Sequence, residues 1–340
     1  MAEKPSNVVS APVPSVKQSH KKKKIRRGLG KKKHSNLIMF SANSDGLKSK
    51  IDCFKNEVST TGAAIFTVQE TEFSKKGKLK INGFKIFEAI RTNKKGGGTL
   101  IGVHKSLNPM LIKEYSETFE LLVVEIKIKN LKVRVMSGYG PQENWKEDDR
   151  LPFFSALEDE IYKAEFAGIS VLIQMDANSK LGSEIIPNDP HDRSQNGKIL
   201  AGIIQRHQLS VVNGTEKCHG LITRQRNNEA SVIDFVIVSN DLFEDVDSLL
   251  IDEAQNHALV RYSKSKKGSR VQKSDHNSMI TTFNIDWDSR KKKERIELFN
   301  LKNKECQKTF NSVTSEENLL SSQLDRERFG YCHKAFSEKA

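Results

Sequence analysis

Polar residues whose types can bind a metal ion or transfer protons recur along the chain, and all but the last two lie on or just after a short apolar run. In chain order they are Asn43, Glu70, Tyr139, Asp176, Asn178, Asp234, Asp275 and His276. A carboxylate at the end of a buried strand cannot belong to the dry core, because its unpaired burial would cost several kcal/mol. One such residue is ordinary, but a whole series of this kind indicates one convergent site.

The apolar runs next to these residues have the length and composition of buried strands. Runs of four to six residues rich in β-branched or aromatic side chains predict strands, here over residues 37–40, 64–68, 133–136, 170–173 and 235–238. Further strands are predicted over residues 84–87, 99–103, 121–128 and 131–136, with Asn130 in a hairpin turn. Helical periodicity predicts helices over residues 47–58, 150–164 and 196–207. This alternation by itself indicates an α/β protein.

The order of these motifs resembles the endonuclease/exonuclease/phosphatase superfamily, and most closely the endonuclease domains of non-LTR retrotransposons. The motifs are Asn43, Gln69-Glu70-Thr71, Gly96-Gly97-Gly98-Thr99, Gly138-Tyr139-Gly140-Pro141-Gln142, Asp176-Ala177-Asn178, Thr223-Arg224, Ser231 to Phe235 and Ser274-Asp275-His276. Each motif alone is weak, but all of them in the family's order and approximate spacing make a strong signal. The resemblance covers residues 36–286. It implies a four-layer α/β sandwich of the deoxyribonuclease I type, with two facing mixed sheets and outer helices.

Three residues are predicted to serve a metal ion. Glu70 is the predicted ligand, Asp275 a second ligand or a partner of a metal water, and Asn43 the residue that holds Glu70 or such a water in place. A helix N-cap region is the structural alternative for Asn43. Mg²⁺ suits this set, since it keeps several waters and uses only one or two carboxylates. Mn²⁺ is the alternative ion.

Five residues are predicted to act on a phosphodiester: Tyr139, Asp176, Asn178, Asp234 and His276. Asp176 is the predicted base or water-orienting residue and Asn178 a donor to a non-bridging oxygen, both on one side of an extended segment. An Asx turn is the alternative there. Asp234 is expected to fix the tautomer of His276 and to favour its charged form. Tyr139, on a turn between two glycines, is assigned a hydrogen bond to the phosphate or the leaving group, or packs under its loop.

The net charge of +13 is unevenly distributed. Residues 1–35 hold eleven Lys and Arg and one acid, and residues 289–340 hold twelve Lys and Arg and eight acids, which leaves about −1 for residues 36–288. We therefore predict a disordered basic tail over 1–35, the catalytic domain over 36–288 and a charged helical or linker tail over 289–340. The first tail is predicted to serve in nuclear import or as a nucleic-acid-binding arm; a solvated charge run is the alternative.

Several protein classes are disfavoured by the sequence. No apolar run reaches the ~18–20 residues of a transmembrane helix, and the first residues lack the apolar region of a secretory signal. The four cysteines show neither zinc-site spacing nor a disulfide framework, which fits a reducing compartment. We expect a nuclear protein, or otherwise a cytoplasmic one, that is monomeric and has no membrane partner and no small-molecule cofactor.

The predicted function is a Mg²⁺-dependent endonuclease that nicks DNA and leaves 3′-hydroxyl and 5′-phosphate ends. Arg224 and Arg226 lie in a segment where the resembling endonucleases hold a DNA-contacting hairpin, so both are predicted to bind nucleic acid; a solvated loop is the alternative. Two other functions stay open: a phosphatase or RNA-directed member of the same superfamily, and a non-catalytic nucleic-acid-binding remnant. The sequence has no Tyr/Phe-x-Asp-Asp motif of a reverse transcriptase, so we expect a fragment, a degenerate copy or a stand-alone nuclease.

Overall fold

The predicted strands and helices assemble into two β-sheets that face each other between outer helices. The computed structural model of the chain describes residues 36–91, 96–265 and 268–287, so the predicted tails lie outside the described residues. In chain order the strands are β1 (Asn36–Asn43), β2 (Ile65–Gln69), β3 (Phe84–Ala89), β4 (Thr99–His104), β5 (Met110–Tyr115), β6 (Glu120–Ile128), β7 (Leu131–Tyr139), β8 (Ser170–Asp176), β9 (Leu209–Val211), β10 (Cys218–His219), β11 (Arg224–Arg226), β12 (Glu229–Ser231), β13 (Asp234–Ser239), β14 (Val246–Ile251), β15 (Val260–Ser265), β16 (Gly268–Lys273) and β17 (Met279–Asp286). The α-helices are α1 (Ile51–Thr61), α2 (Glu147–Phe166), α3 (Gln195–Arg206) and α4 (Asn240–Asp245).

Both large sheets are mixed. Within the described residues, the first sheet has seven strands in the spatial order β10-β14-β17-β1-β2-β4-β3, and the second has six in the order β5-β6-β7-β8-β13-β9. The pairs β1–β2 and β7–β8 run parallel, whereas β1–β17 and β8–β13 run antiparallel. Two hairpins, β11–β12 and β15–β16, form small sheets of their own. The predicted four-layer α/β sandwich is confirmed.

Alternating side chains on the strands build the layers. In β6, Leu122 and Val124 join the apolar cluster between the two sheets, whereas Leu121 and Val123 join the cluster under α2 and α3. On the other side, Phe54 of α1 packs in a third cluster against the first sheet. The order is therefore α1, first sheet, second sheet, then α2 and α3. None of the helices in the described ranges is both long and apolar enough to cross a bilayer.

Two local predictions need correction. Residues 47–58 are not one helix, because Lys50 leaves the helical region (φ −121°) between a 3₁₀ turn over Leu47–Ser49 and α1. Tyr139 does not lie on a turn but is the last residue of β7, paired on both sides with β6 and β8. Close packing explains the glycine at position 138, because a Cβ atom on Gly138 would lie 3.0 Å from the ring of Phe153.

Candidate active site

The second sheet brings four polar residues into one row across neighbouring strands. Glu120 of β6 pairs with Tyr139 of β7, Tyr139 pairs with Asp176 of β8, and Asp176 pairs with Asp234 of β13. These residues occupy the first or last position of their strands, so the row forms one edge of the sheet. Three predicted site residues thereby become neighbours through strand register alone.

The first sheet presents its residues at the same place. Asn43 ends β1 and pairs with Gln69, the last residue of β2, so Glu70 follows directly beyond the sheet edge. Glu70 has a left-handed backbone (φ 50°), which is uncommon for residues with side chains and often found at functional sites. The Ser274 hydroxyl donates to the carbonyl of Asn43 over 2.8 Å, which anchors the segment that carries His276.

The Asn43 side chain connects the two sheets. Its Nδ2 donates to Glu70 Oε1 and to Asp176 Oδ2, each over 2.8 Å. An amide NH₂ group has two protons and can serve both acceptors at once. Its Oδ1 accepts a hydrogen bond from the backbone N of Asp45 over 3.1 Å, which fixes the orientation of the amide. Two carboxylates from different sheets are thereby held close together.

Asp176 is buried at the centre of the site. Its Oδ2 lies 3.8 Å from His276 Nε2, and its Oδ1 accepts from the backbone N of Asn178 over 3.0 Å. Burial and the neighbouring Asp234 raise the pKa of the Asp176 carboxyl, while His276, Asn178 and Asn43 lower it in part. The net rise favours a carboxylate that can take up a proton.

The prediction of an extended segment from Asp176 to Asn178 is wrong. Asn178 has φ 44°, and the hydrogen bond from its backbone N to the Asp176 side chain closes an Asx turn. The turn places Asn178 Nδ2 2.9 Å from the carbonyl of Gly140, to which it donates. Asn178 still lines the central cavity, and its amide has a second proton for another acceptor.

Asp234 holds the ring of His276. The Nδ1 atom of His276 lies 2.9 Å and 3.1 Å from the two carboxylate oxygens of Asp234. Burial lowers the pKa of His276, but Asp234 and Asp176 raise it further than burial lowers it. Thr223 positions Asp234, since its hydroxyl accepts hydrogen bonds from the backbone N of Ile233 and of Asp234 over 3.0 and 3.1 Å. The net rise favours the charged form of the ring, whose Nε2 lies on the side of Asp176.

Asp275 lies at the rim and is paired with Arg224. Both Nε and Nη2 of Arg224 lie 3.1 Å from Asp275 Oδ2, and the two side chains are about 30% exposed. Arg226, on the same strand β11, is exposed. A central cavity of about 510 Å³ is lined by Asp45, Glu70, Tyr139, Gln142, Asn178, Arg224, Arg226, Lys273, Asp275 and His276. All ten predicted site residues therefore lie in or next to this cavity. Within it, Asp275 and Arg224 form an ion pair with each other.

The donor atoms fit a hard divalent cation. Ligand atoms of Glu70, Asp176 and His276 lie within 4.8 Å of one another. Asp234 favours the charged ring of His276, whose protonated nitrogens have no lone pair for a metal ion, so the candidate ligand atoms are carboxylate oxygens. Among the described residues nothing donates a hydrogen bond to Glu70 Oε2. Carboxylate oxygens of this kind suit Mg²⁺ or Mn²⁺. Glu70 Oε2 is therefore the free carboxylate oxygen at the centre of the site, whereas Asp275 lies at the rim beside Arg224.

Arg91 and Glu120 support Tyr139, and their role was not predicted. Arg91 Nε lies 2.6 Å from Glu120 Oε1 and its Nη2 lies 2.7 Å from Oε2, with Glu120 fully buried. The guanidinium lies 5.9 Å from the centre of the Tyr139 ring. Burial, together with Glu70 and Asp176, raises the pKa of Tyr139, so its hydroxyl stays neutral and able to donate. The only sequence signal for Arg91 is that it follows a strand, as the other site residues do.

Buried polar contacts join the sheets beneath the site. Gln69 Nε2 donates to Ser137 Oγ over 2.9 Å, and Ser137 Oγ lies 3.0 Å from Thr99 Oγ1. One layer further in, Thr67 Oγ1 donates to Gln174 Oε1 over 2.5 Å. These bonds satisfy groups that would otherwise be costly to bury. They also fix how the two sheet edges meet, and hence the separation of Glu70 and Asp176.

Lys50 is a second residue that sequence reasoning missed. Its side chain is 1% exposed, and its Nζ donates to the backbone carbonyls of Ser44 and Asp45 over 2.5 and 3.0 Å. Burial lowers its pKa, although the nearby Asp45 and Glu72 raise it in part. Lys50 therefore ties down the turn that follows Asn43. A lysine in a helix-forming segment gives no sequence signal for such a role.

The fold and the site define a class of protein. The chain has the deoxyribonuclease I-like fold of endonucleases, exonucleases and phosphatases. Residues 133–280 match the model of a family described as endonuclease-reverse transcriptase, a region that includes Tyr139, Asp176, Asp234 and His276. The resemblance predicted from the motifs is thereby confirmed. None of the curated protein sequences is significantly similar to this chain.

Solved structures share the fold at low sequence identity. The endonuclease domain of TRAS1, a telomere-specific non-LTR retrotransposon, is 18% identical with a TM-score of 0.53, over 74% of this chain and 100% of that chain. The AP endonuclease LMAP from Leishmania major is 10% identical with a TM-score of 0.56, over 73% and 87%. The 3′ phosphatase NExo from Neisseria, bound to a product DNA hairpin, is 13% identical with a TM-score of 0.51, over 73% and 99%.

Proposed function

We propose that this chain is a divalent-metal-dependent endonuclease that hydrolyses DNA phosphodiester bonds and leaves 3′-hydroxyl and 5′-phosphate ends. The observation that carries the proposal is the Asn43 amide, which bonds to Glu70 and Asp176 at once beside the imidazole that Asp234 holds. Hydrolysis of a phosphodiester needs a nucleophilic water, positive charge near the phosphate and help for the leaving oxygen. The residues at this site can supply or organise each of these.

Each side chain has a role in this proposal. Asp176 orients the attacking water and accepts its proton, because burial beside Asp234 raises its affinity for a proton. His276 donates a hydrogen bond from Nε2 to a non-bridging oxygen of the phosphate, and Asp234 keeps the ring in that orientation. Asn178 donates its second amide proton to another non-bridging oxygen. Tyr139, neutral and supported by Arg91, donates its hydroxyl proton to the phosphate or the leaving oxygen.

Glu70 is the residue that would hold the divalent ion, beside the water-orienting Asp176. When bound there, Mg²⁺ or Mn²⁺ supplies positive charge that polarises the phosphate and stabilises the charge that develops on it. Asn43 restrains the carboxylates of Glu70 and Asp176, so the two side chains are already held close together before an ion binds. Asp275, paired with Arg224, contributes at the rim of the site and not as a direct ligand.

DNA is the proposed substrate because cations border the cavity that holds the acids. Arg224 and Arg226 on the β11–β12 hairpin are the proposed phosphate contacts. The basic residues 1–35 add a non-specific DNA contact or direct the chain to the nucleus. All the proposed site residues come from one chain, so we propose that a monomer is active. A 3′ phosphatase among the similar structures makes phosphatase activity the second candidate.

The experiment is cleavage of supercoiled plasmid DNA by the purified protein with Mg²⁺, with Mn²⁺ and with excess chelator. We expect conversion to the nicked form that needs the ion and that Glu70→Gln abolishes. Glu165→Gln is the control, because Glu165 is an exposed residue near the end of α2 that lines neither the central cavity nor the two that adjoin it. Removal of a 3′-terminal phosphate from an oligonucleotide without any nicking would favour the phosphatase. Full nicking in chelator would contradict the proposal.

A further inference from the structure

The β15–β16 hairpin, which spans residues 260–273, is strongly basic and leads directly into the active site. Its fourteen residues include six Lys and Arg and no acid, whereas the whole segment 36–288 carries a net charge near −1. The strands pair antiparallel from Val260 opposite Lys273 to Ser265 opposite Gly268. Lys273 is followed at once by Ser274, Asp275 and His276. In the sequence the hairpin thus carries +6, whereas the rest of segment 36–288 carries about −7. Its last residue, Lys273, borders the central cavity.

Three adjoining cavities show where this hairpin lies relative to the site. The central cavity holds Glu70 and His276 and is also bordered by Lys273. A cavity of about 880 Å³ shares Asn178 with the central one and is bordered by the β11–β12 hairpin. A third cavity, of about 510 Å³, shares Asp45 with the central one and is bordered by the β15–β16 hairpin. The site thus lies within a longer groove that has one hairpin along each half.

The described cations of the β15–β16 hairpin are available to bind an anion. Arg261 lines the third cavity together with Gln272 and is exposed, and among the described residues it forms no ion pair. Lys273 Nζ donates to the neutral amide oxygen of Gln255 over 2.9 Å and likewise lacks a carboxylate partner there. Arg224 of the other hairpin differs, because it also forms an ion pair with Asp275 at the rim of the site. Unpaired cations along a groove are the features that recognise a polyanion through its phosphates.

We propose that the β15–β16 hairpin is a second DNA-binding arm, which holds the sugar–phosphate backbone of the duplex on the side of the scissile phosphate away from β11–β12. This inference rests on the proposed function of the central site. A duplex presents phosphates at regular intervals on both sides of the bond to be cut, so a groove with a basic arm along each half matches it. Contacts of this kind position the duplex and add affinity without reading its sequence.

The test is a double substitution, Arg261→Gln with Lys273→Gln, measured by fluorescence anisotropy on a labelled DNA duplex in excess chelator. The matched control is Lys127→Gln with Lys132→Gln. These two exposed lysines occupy opposite positions on the neighbouring strands β6 and β7. Lys132 lies seven residues from Tyr139 along β7, which is ~23 Å in an extended strand, and Lys127 lies opposite Lys132 on β6. We expect the hairpin variant to raise Kd about tenfold or more at 0.1 M salt and to reduce the salt slope by ~1.8. The control should match the wild type.

An unchanged salt slope in the hairpin variant, or an equal loss in the control, would overturn the proposal. A loss seen with single-stranded RNA but absent with duplex DNA would overturn it as well. Arg261→Gln alone, at an exposed position, should reduce the slope by ~0.9 and serves if the double variant unfolds. Binding in excess chelator is measured without cleavage, so the result for the second arm does not depend on the result for the proposed function. Wild-type protein that never nicks DNA defeats the proposed function, whereas nicking with an unchanged slope defeats only the second arm.

Discussion

His276 Nδ1 lies 2.9 Å from one carboxylate oxygen of Asp234 and 3.1 Å from the other, and both residues are almost fully buried. Because Nδ1 carries the proton that Asp234 accepts, Nε2 faces Asp176 and the cavity. The buried carboxylate also favours the charged ring, whose pKa is raised despite burial. Asp234 is therefore a positioning residue that acts through His276.

Asp234→Asn is predicted to reduce kcat by ~10²–10³-fold, because the ring loses both its orientation and its charge. The imidazolium is present below its pKa and lost above it. Removal of Asp234 lowers that pKa, so activity in the variant should fall at a lower pH than in the wild type. The pH profile of cleavage and a metal-free NMR titration of His276 measure this. Identical profiles would contradict the role, whereas partial recovery in Asp234→Glu would support it.

Asn43→Ala is predicted to weaken metal affinity or activity by ~10–100-fold, the range typical for residues that hold metal ligands. The substitution removes the amide that bonds to Glu70 and Asp176, so the two carboxylates separate through their mutual repulsion. The Mg²⁺ concentration that gives half-maximal cleavage is the measurement, and it should rise. Asn56→Ala, in α1 away from the cavity, is the control. An unchanged Mg²⁺ requirement would show that Asn43 only packs between the sheets.

The residues that the structure brings together at one place could be picked out from the sequence, because their polarity contrasts with the apolar runs beside them. Glu70 directly follows a buried strand and Asp176 ends one, and the local pattern alone marks such positions. Arg91 with Glu120 could not be predicted, because their ion pair depends on how β3 and β6 of different sheets come together. The role of Lys50 could not be predicted either, because a lysine is ordinary in a helix-forming segment. The glycines that flank Tyr139 predict a turn, whereas in the structure close packing explains Gly138.

Ser137→Ala is predicted to destabilise the fold by about 1–3 kcal/mol, since Gln69 Nε2 loses its buried acceptor. Gln69→Leu combined with Ser137→Ala should cost less than the sum of the two single substitutions, because both partners of the hydrogen bond are then removed. Urea unfolding of the four proteins in this cycle provides the measurement. Additive effects would show that the contact between the sheets contributes nothing.

Deletion of residues 1–35 is predicted to weaken duplex binding and to flatten its salt dependence. This segment carries eleven Lys and Arg, and each phosphate that it neutralises contributes about −0.9 to the salt slope. Cleavage at saturating DNA should be retained, since no proposed catalytic residue is removed. Anisotropy titrations at several salt concentrations compare the truncated and full chains. An unchanged slope would leave nuclear import as the better explanation of the basic segment.

The most direct test of the central claim is the chemistry of the ends that the wild-type protein leaves on an end-labelled DNA duplex in Mg²⁺. We predict internal cuts with 3′-hydroxyl ends that a polymerase extends and 5′-phosphate ends that a ligase joins. Glu70→Ala and His276→Ala should each reduce these cuts by ~10²–10³-fold, while thermal unfolding changes little. Ends that a polymerase cannot extend, or wild-type cutting rates in either variant, would contradict the account.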